Sequence, residues 1–240
     1  MSDWIYPYPP LYPGILLQRY KRFFADIELD SGETITAHCP NTGPMTGICI
    51  PGNRVQVSLS NSPTRKLPYT WELIEVNDVQ PTWVGVNTAL PNRVIKAALE
   101  AHLFPELGDY QHIQGEVPYG VDRKSRIDFL LTGDEGRSLY IEVKNTTWTE
   151  GRLALFPDCV TTRGQKHLRE LMALLPRSRS VMLYLINRGD CTQFAPGDRA
   201  DPIYGKLLRE AIAQGLEVLP CRFEVTLEGL CYRGLADLKL

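Results

Sequence analysis

The stretch "RIDFLLTGDEGRSLYIEVKN", residues 126–145, holds two strand-like runs around a turn, and each run sets charge among apolar residues. Asp128 lies between Ile127 and Phe129, while Glu142 and Lys144 flank Val143. Strand side chains alternate between faces, so Glu142 and Lys144 project together and Ile141 and Val143 project oppositely. The connection Asp134-Glu135-Gly136 has the composition of a three-residue hairpin loop, with glycine where a left-handed residue is needed. Such a loop pairs Gly133 with Arg137. It then predicts Leu131 opposite Leu139, Phe129 opposite Ile141, Ile127 opposite Val143 and Asp128 opposite Glu142. A slip of one residue would mismatch all of these pairs.

Two carboxylates and a lysine on one face carry a chemical implication. Adjacent buried carboxylates repel unless a cation lies between them, and oxygen donors of this kind suit Mg²⁺ or Mn²⁺. A metal held there polarises a phosphate and acidifies a bound water, and a lysine can orient or deprotonate that nucleophile. The reaction expected is phosphodiester hydrolysis. The alternative is a solvated hairpin face with ordinary charge pairing, because a Glu-x-Lys by itself decides nothing without its context.

That context is a change of texture along the chain. Residues 15 to about 80 show no amphipathic helix. Short alternating runs ("FFADIEL", "ETITAHC", "RVQVSLS", "TWELIEV") are separated by Gly, Pro and Asn clusters, the pattern of a small antiparallel barrel, with an OB-like barrel favoured. His38 and Cys39, without further ligand partners, read as structural. From residue 88 helical periodicity begins: "LPNRVIKAALEAHLF", then "TRGQKHLRELMALL" with Leu168, Leu171, Met172 and Leu175 on one stripe, then "DPIYGKLLREAIAQG". In the last of these Asp201 is the expected N-cap, Pro202 lies inside, and Gly215 falls just past the end. With the intervening strands the order is α-β-β-β-α-β-α-β, a mixed sheet covered by helices.

Composition limits the rest. The net charge of −2 gives no global basic footprint, so any nucleic-acid contact depends on local patches. Arg19 and Arg22 cluster in "QRYKRF", where Tyr20 and Phe23 could stack bases or fill a core. Arg65 and Lys66 follow in "NSPTRKLPY". Arg163, Lys166 and His167 fall in the first turns of the second helix, where free N–H groups and the helix dipole favour phosphate; a plain solvated basic face is the alternative. The apolar run Val181 to Ile186 is far below the roughly 20 residues of a membrane span. Neither a signal-peptide pattern nor a clustered cysteine motif is present. A cytoplasmic protein with reduced cysteines is expected, with DNA as partner, no membrane association, and homo-oligomerisation left open.

The constellation of Asp128, Glu142 and Lys144 in this element order resembles the PD-(D/E)xK nuclease superfamily. The resemblance implies Asp128 and Glu142 as metal acids, with Val143 completing the metal set, and Lys144 as catalytic lysine. The superfamily's optional acid on the first helix would be Glu100, with Glu116 competing for an auxiliary role. More of the chain, from "LLQRYKRFFADIEL" through "HCPNTGPMTG", "YTWELIEV", "SRIDFLL" and "YIEVKN" to "FPDCVTTRGQKHLREL", resembles the sugar fermentation stimulation protein A family. That resemblance implies an OB-like DNA-binding domain over residues 1–84 and a nuclease-like domain over 85–240. It also implies a part in regulating sugar use. Metal-dependent cleavage of DNA and non-catalytic DNA binding by a regulator that keeps the pocket both remain open.

Overall fold

The computed structural model describes residues 5–120, 123–133 and 137–240. The first described element is a short strand, β1 (Tyr6–Pro7), and a barrel follows from β2 (Leu11–Tyr20), β3 (Phe24–Leu29), β4 (Thr34–His38), β5 (Arg54–Leu59), β6 (Tyr69–Asn77) and β7 (Pro81–Gly85). The order is β4-β3-β2-β5-β6-β7, and β4 also pairs with β6 at His38 and Thr70, which closes the sheet on itself. β2 makes this curvature possible. Gly14 pairs with Leu29 on one side and Val55 on the other, and a Cβ there would lie 2.6 Å from the Glu28 carbonyl oxygen. Only glycine lets the strands approach so closely at the bend. Leu16, Ile27, Val57 and Trp71 fill the interior. The barrel has two strands that the sequence pattern did not separate, β2 and β7.

The second domain follows with α1 (Pro91–Glu100), β8 (His112–Tyr119), β9 (Ser125–Thr132), β10 (Leu139–Thr146), β11 (Trp148–Glu150), β12 (Leu153–Phe156), α2 (Thr162–Leu174), β13 (Arg179–Ile186), β14 (Gln193–Pro196), α3 (Pro202–Ala213), β15 (Glu217–Val225), β16 (Gly229–Leu235) and β17 (Asp237–Leu238). Its main sheet runs β1-β16-β15-β13-β10-β9-β8, with β10, β13 and β15 parallel to one another. Residues 6–7 therefore belong to the second sheet, since Tyr6 pairs with Leu230. The expected span 1–84 for the first domain had not foreseen this return. A small sheet, β11-β12-β14-β17, was also not foreseen.

α1 packs on one face of the main sheet through Val94, Ile95, Ala98 and Leu99, against Phe129, Ile141, Val143 and Leu183. α2 and α3 pack on the other through Leu168, Leu171, Leu208 and Ala211, against Met182 and Tyr184. α3 is capped as its sequence predicts: the Asp201 side chain accepts from the Tyr204 N–H, and Gly215 takes a positive φ just beyond the helix. Such a cap is worth about 1 kcal/mol. No helix among the described residues is long and apolar enough to cross a membrane, and all six cysteines are free.

The barrel is joined to the sheet through buried polar contacts. Arg188 bridges Asp190 and Asp78, each at 2.7 Å, and Asn187 exchanges backbone and side-chain bonds with Gly85.

Candidate active site

The β9–β10 ladder adopts the register that the apolar pattern selects: Leu131 faces Leu139, Leu130 faces Tyr140 and Phe129 faces Ile141. The loop 134–136 lies outside the described residues. Past Ile141 the ladder stops. Ile127 packs against α2 while Val143 packs against α1, so the expected Ile127–Val143 pair is not made. The cause is an irregularity at the same level of β8, where Glu116 takes a positive φ and the β8–β9 pairing skips Glu116 and Asp128. The strands part there, and the Asp128 side chain enters the split. Its Oδ2 accepts from the Val143 backbone N–H at 2.7 Å and its Oδ1 accepts from Asn92 Nδ2 at 2.8 Å. Asp128 thus meets Glu142 across the opening between two strands, not as a ladder partner on a common face.

Glu142 is 3 % exposed and points toward α2. Its Oε1 accepts from Lys144 Nζ at 2.5 Å and from His167 Nδ1, while its buried Oε2 has no hydrogen-bond partner among the described residues. Burial alone would raise the Glu142 carboxyl, but His167 and Lys144 outweigh it and hold the pKa below the ordinary value. Asp128 goes the other way. Burial, followed by the nearby Glu142 charge, pushes its carboxyl up to about 6, against the opposing pull of the Val143 amide, Asn92 and Lys144. Opposed shifts of neighbouring buried carboxylates are found at functional sites and also in structural ion-pair networks.

The other expected residues fall into different settings. Glu100 ends α1, exposed, and pairs with Lys96 at 3.0 Å. The α1 side chain that reaches Asp128 is Asn92, about 12 Å back along the helix axis. Glu116 is exposed beside the strand split, and its carbonyl accepts from Arg126. Arg19 donates to the carbonyls of Arg22, Asn41 and Gly43, bracing the 41–43 loop. Arg22 sits exposed in the β2–β3 turn at positive φ. Arg65 is half-buried against His38 Nδ1 at 3.2 Å, and Lys66 is exposed. Burial and the Arg65 charge lower the His38 pKa. Arg163 and Lys166 are on the exposed side of α2, with Arg163 Nε 3.4 Å from His167 Nε2.

His167 itself is 3 % exposed. It was expected among phosphate contacts; its Nδ1 hydrogen-bonds Glu142 instead, which puts it behind the carboxylate. Its position was readable in principle: His167 stands three residues after the buried Gly164 and four before the buried Leu171, on the inward arc of α2. Asn92 carried no comparable signal, because α1 hydrophobicity fixes the helix and not which first-turn polar group reaches β9.

Two buried or half-buried carboxylates, an orphaned carboxylate oxygen and the Val143 position between them fit a small divalent cation, which takes one or two carboxylates and keeps several waters. No group of three or more His, Cys, Asp or Glu side chains forms a closed cage among the described residues. The donor set is that of an open site.

Fold and site together define a two-domain α+β protein: an OB barrel followed by a mixed sheet flanked by helices. The chain belongs to the sugar fermentation stimulation protein family. Residues 17–86 match the model described as SfsA N-terminal OB domain, and residues 89–229 match the sugar fermentation stimulation protein RE domain. The sugar fermentation stimulation protein homolog of Cyanothece sp. is 72% identical over 240 residues, covering all of both chains. That of Trichormus variabilis is 72% identical over 239 residues, covering 99% of each. Among solved structures, Pyrococcus furiosus SfsA in complex with Ca²⁺ superimposes with a TM-score of 0.89 at 26% identity, covering the full length of both chains.

Proposed function

We propose that this protein binds DNA and hydrolyses its phosphodiester backbone at Asp128, Glu142 and Lys144, with Mg²⁺ or Mn²⁺ bound at the two carboxylates and the Val143 carbonyl. The observation that carries the reading is the buried Glu142 Oε2, without a hydrogen-bond partner among the described residues, beside a second carboxyl that burial has driven up to about 6. A buried acceptor left unpaired costs roughly 1–3 kcal/mol, and a cation held by Glu142 and Asp128 would offset both that cost and the repulsion of the two acids. The Ca²⁺ complex of the Pyrococcus furiosus relative supports a divalent cation for this chain as well. When bound, the cation supplies charge to the phosphate and acidifies a water.

The protein's own groups do the rest. Asn92 and the Val143 amide fix the Asp128 carboxylate in the strand split. His167 fixes Glu142 from behind. Lys144 carries its ammonium to the same face, where it orients or deprotonates the attacking water. The exposed Arg163 and Lys166 at the start of α2, together with Lys66, hold the DNA backbone.

One observation favours a second reading, a non-catalytic DNA-binding regulator of sugar-metabolism genes: Lys144 Nζ is engaged 2.5 Å from Glu142 Oε1 and not turned toward an open position. Incubating the protein with single- and double-stranded DNA, with Mg²⁺, Mn²⁺ or chelator, separates the two. Cleavage that stops in chelator supports the enzyme. Salt-sensitive binding without cleavage at any metal supports the regulator.

A further inference from the structure

The seam between barrel and sheet holds a cavity that the proposed chemistry leaves unused. Its volume is about 170 Å³, and it lies between the 41–43 loop and Thr88 on one side and the end of β10 and the 155–158 segment on the other. Typical cofactor pockets run to roughly 300–1,000 Å³, so an occupant here is a single small ring system. Its position is informative. Glu142, Lys144 and Thr146 alternate onto one face of β10, and Thr146 lines the cavity. The cavity wall therefore begins at Asn145, directly after Lys144, and on the Lys144 face of the strand at Thr146, about 7 Å beyond it. It also stands at the carboxyl end of parallel strands, where open α/β sheets bind their ligands.

The lining selects the chemistry. Thr146 is 1 % exposed, and its hydroxyl has no partner among the described residues. Asn41 and Asn145 use their side-chain oxygens on Gly43 N–H and Asn187 Nδ2, which leaves their own amide groups to donate. Asp158 adds an acceptor, so an anion is disfavoured. Trp148 and Phe156 supply aromatic surface. A neutral planar heterocycle with both donors and acceptors on its edge meets every one of these terms. A phosphate would accept from the amides and the hydroxyl but would face the Asp158 carboxylate and leave the aromatic walls uncovered, and an aliphatic group strands the hydroxyl.

We propose that this cavity receives one nucleobase of a bound DNA strand, adjacent to the nucleotide whose phosphate lies at Asp128, Glu142 and Lys144. The inference rests on the DNA reading above. Turning a base into such a pocket costs unstacking, least for a base that is already unpaired. Single strands, frayed ends and mismatches are therefore the preferred substrates. Arg19 contributes indirectly, since it holds the 41–43 wall through two backbone carbonyls.

The test uses the full-length protein with Ca²⁺ and fluorescent single-stranded oligonucleotides in which one abasic position is walked along the strand. Two variants accompany it: Thr88→Trp, which fills the mouth from an exposed position, and Thr146→Val, which removes the hydroxyl at nearly constant shape. Melting profiles verify that both are folded. At one position, loss of the base should weaken wild-type binding roughly tenfold, the scale of a stacked base. In Thr88→Trp that difference should vanish while affinity for the abasic strand is unchanged, and in Thr146→Val it should shrink. If DNA binds but no position shows the difference, or if the difference persists in both variants, the base pocket is overturned and the DNA reading stands. Competition by free adenosine or thymidine as effective as that of the oligonucleotide would overturn the DNA assignment of the cavity. Absence of binding to any DNA would remove the reading on which the pocket rests, and the pocket with it.

Discussion

Among the described residues each domain buries one glutamate, and the two behave oppositely. Glu72 in the barrel is 5 % exposed and Glu142 in the sheet is 3 % exposed. Glu72 satisfies both oxygens with neutral donors, Ser58 Oγ at 2.6 Å and Asn87 Nδ2 at 2.7 Å, and burial keeps its pKa above the ordinary value despite the pull of those donors and of Arg65 and Arg93. Glu142 gathers a lysine and a histidine on one oxygen and leaves the other with no partner among the described residues, and its pKa falls. Burial is common to both. What separates the two acids is the symmetry of their partners: the fold supplies a donor to each oxygen of Glu72 and, among the described residues, none to Glu142 Oε2.

The largest expected effect lies at the lysine. Lys144→Ala should cost hydrolysis roughly a hundred- to ten-thousand-fold, with the Mn²⁺-induced rise in melting temperature retained. A loss of both together would make Lys144 part of the metal site and blur its distinction from Glu142. The histidine comes next. His167→Ala removes the group that orients Glu142, and such supporting residues typically cost about 10–100-fold in metal affinity. Calorimetric Mn²⁺ titration checks this, and unchanged affinity would show that His167 only packs.

A smaller effect belongs to the backbone contacts. Arg163→Ala with Lys166→Ala should lower the slope of log affinity against log salt by about one unit per lost phosphate contact. An unaltered slope would put that face of α2 away from DNA. The smallest effect is at Glu72. Its folded-state pKa lies above the unfolded value, so the folded state holds the extra proton between the two, and this acid's contribution to stability declines as pH rises through that window. Glu72→Gln keeps the Asn87 bond on its oxygen and reverses the Ser58 bond, its amide donating to the serine oxygen, and should flatten that dependence, changing stability by no more than about 1 kcal/mol. Melting temperatures measured across the acidic range would reveal a contrary, steeper dependence.

The hairpin shows how far sequence reasoning reaches. Leu131, Phe129, Leu139 and Ile141 fixed the register because apolar residues recur with period two and a slip would expose them. The same rule extended too far at Ile127 and Val143, since alternation cannot foresee that Glu116 adopts positive φ and turns the strand at Asp128. The α3 cap was legible because Asp201, Pro202 and Gly215 each have a local conformational reason for their place. The β11-β12-β14-β17 sheet was not, because runs of two to four residues are too short for a period-two pattern to stand out. β1 was invisible for another reason: its partner, Leu230, lies at the far end of the chain. Of the candidate site, the acids and lysine were readable from the strands. Asn92 depends on tertiary packing, and His167 was read on the wrong side of its helix although its spacing to Leu171 pointed inward.

The comparison between the two buried glutamates is tested most directly by one titration of Mn²⁺ into wild-type protein, Glu142→Gln and Glu72→Gln, followed by calorimetry. The account predicts saturable binding of equal affinity to wild type and Glu72→Gln, and its loss in Glu142→Gln. Undiminished binding by Glu142→Gln, or no binding by the wild type, would contradict it.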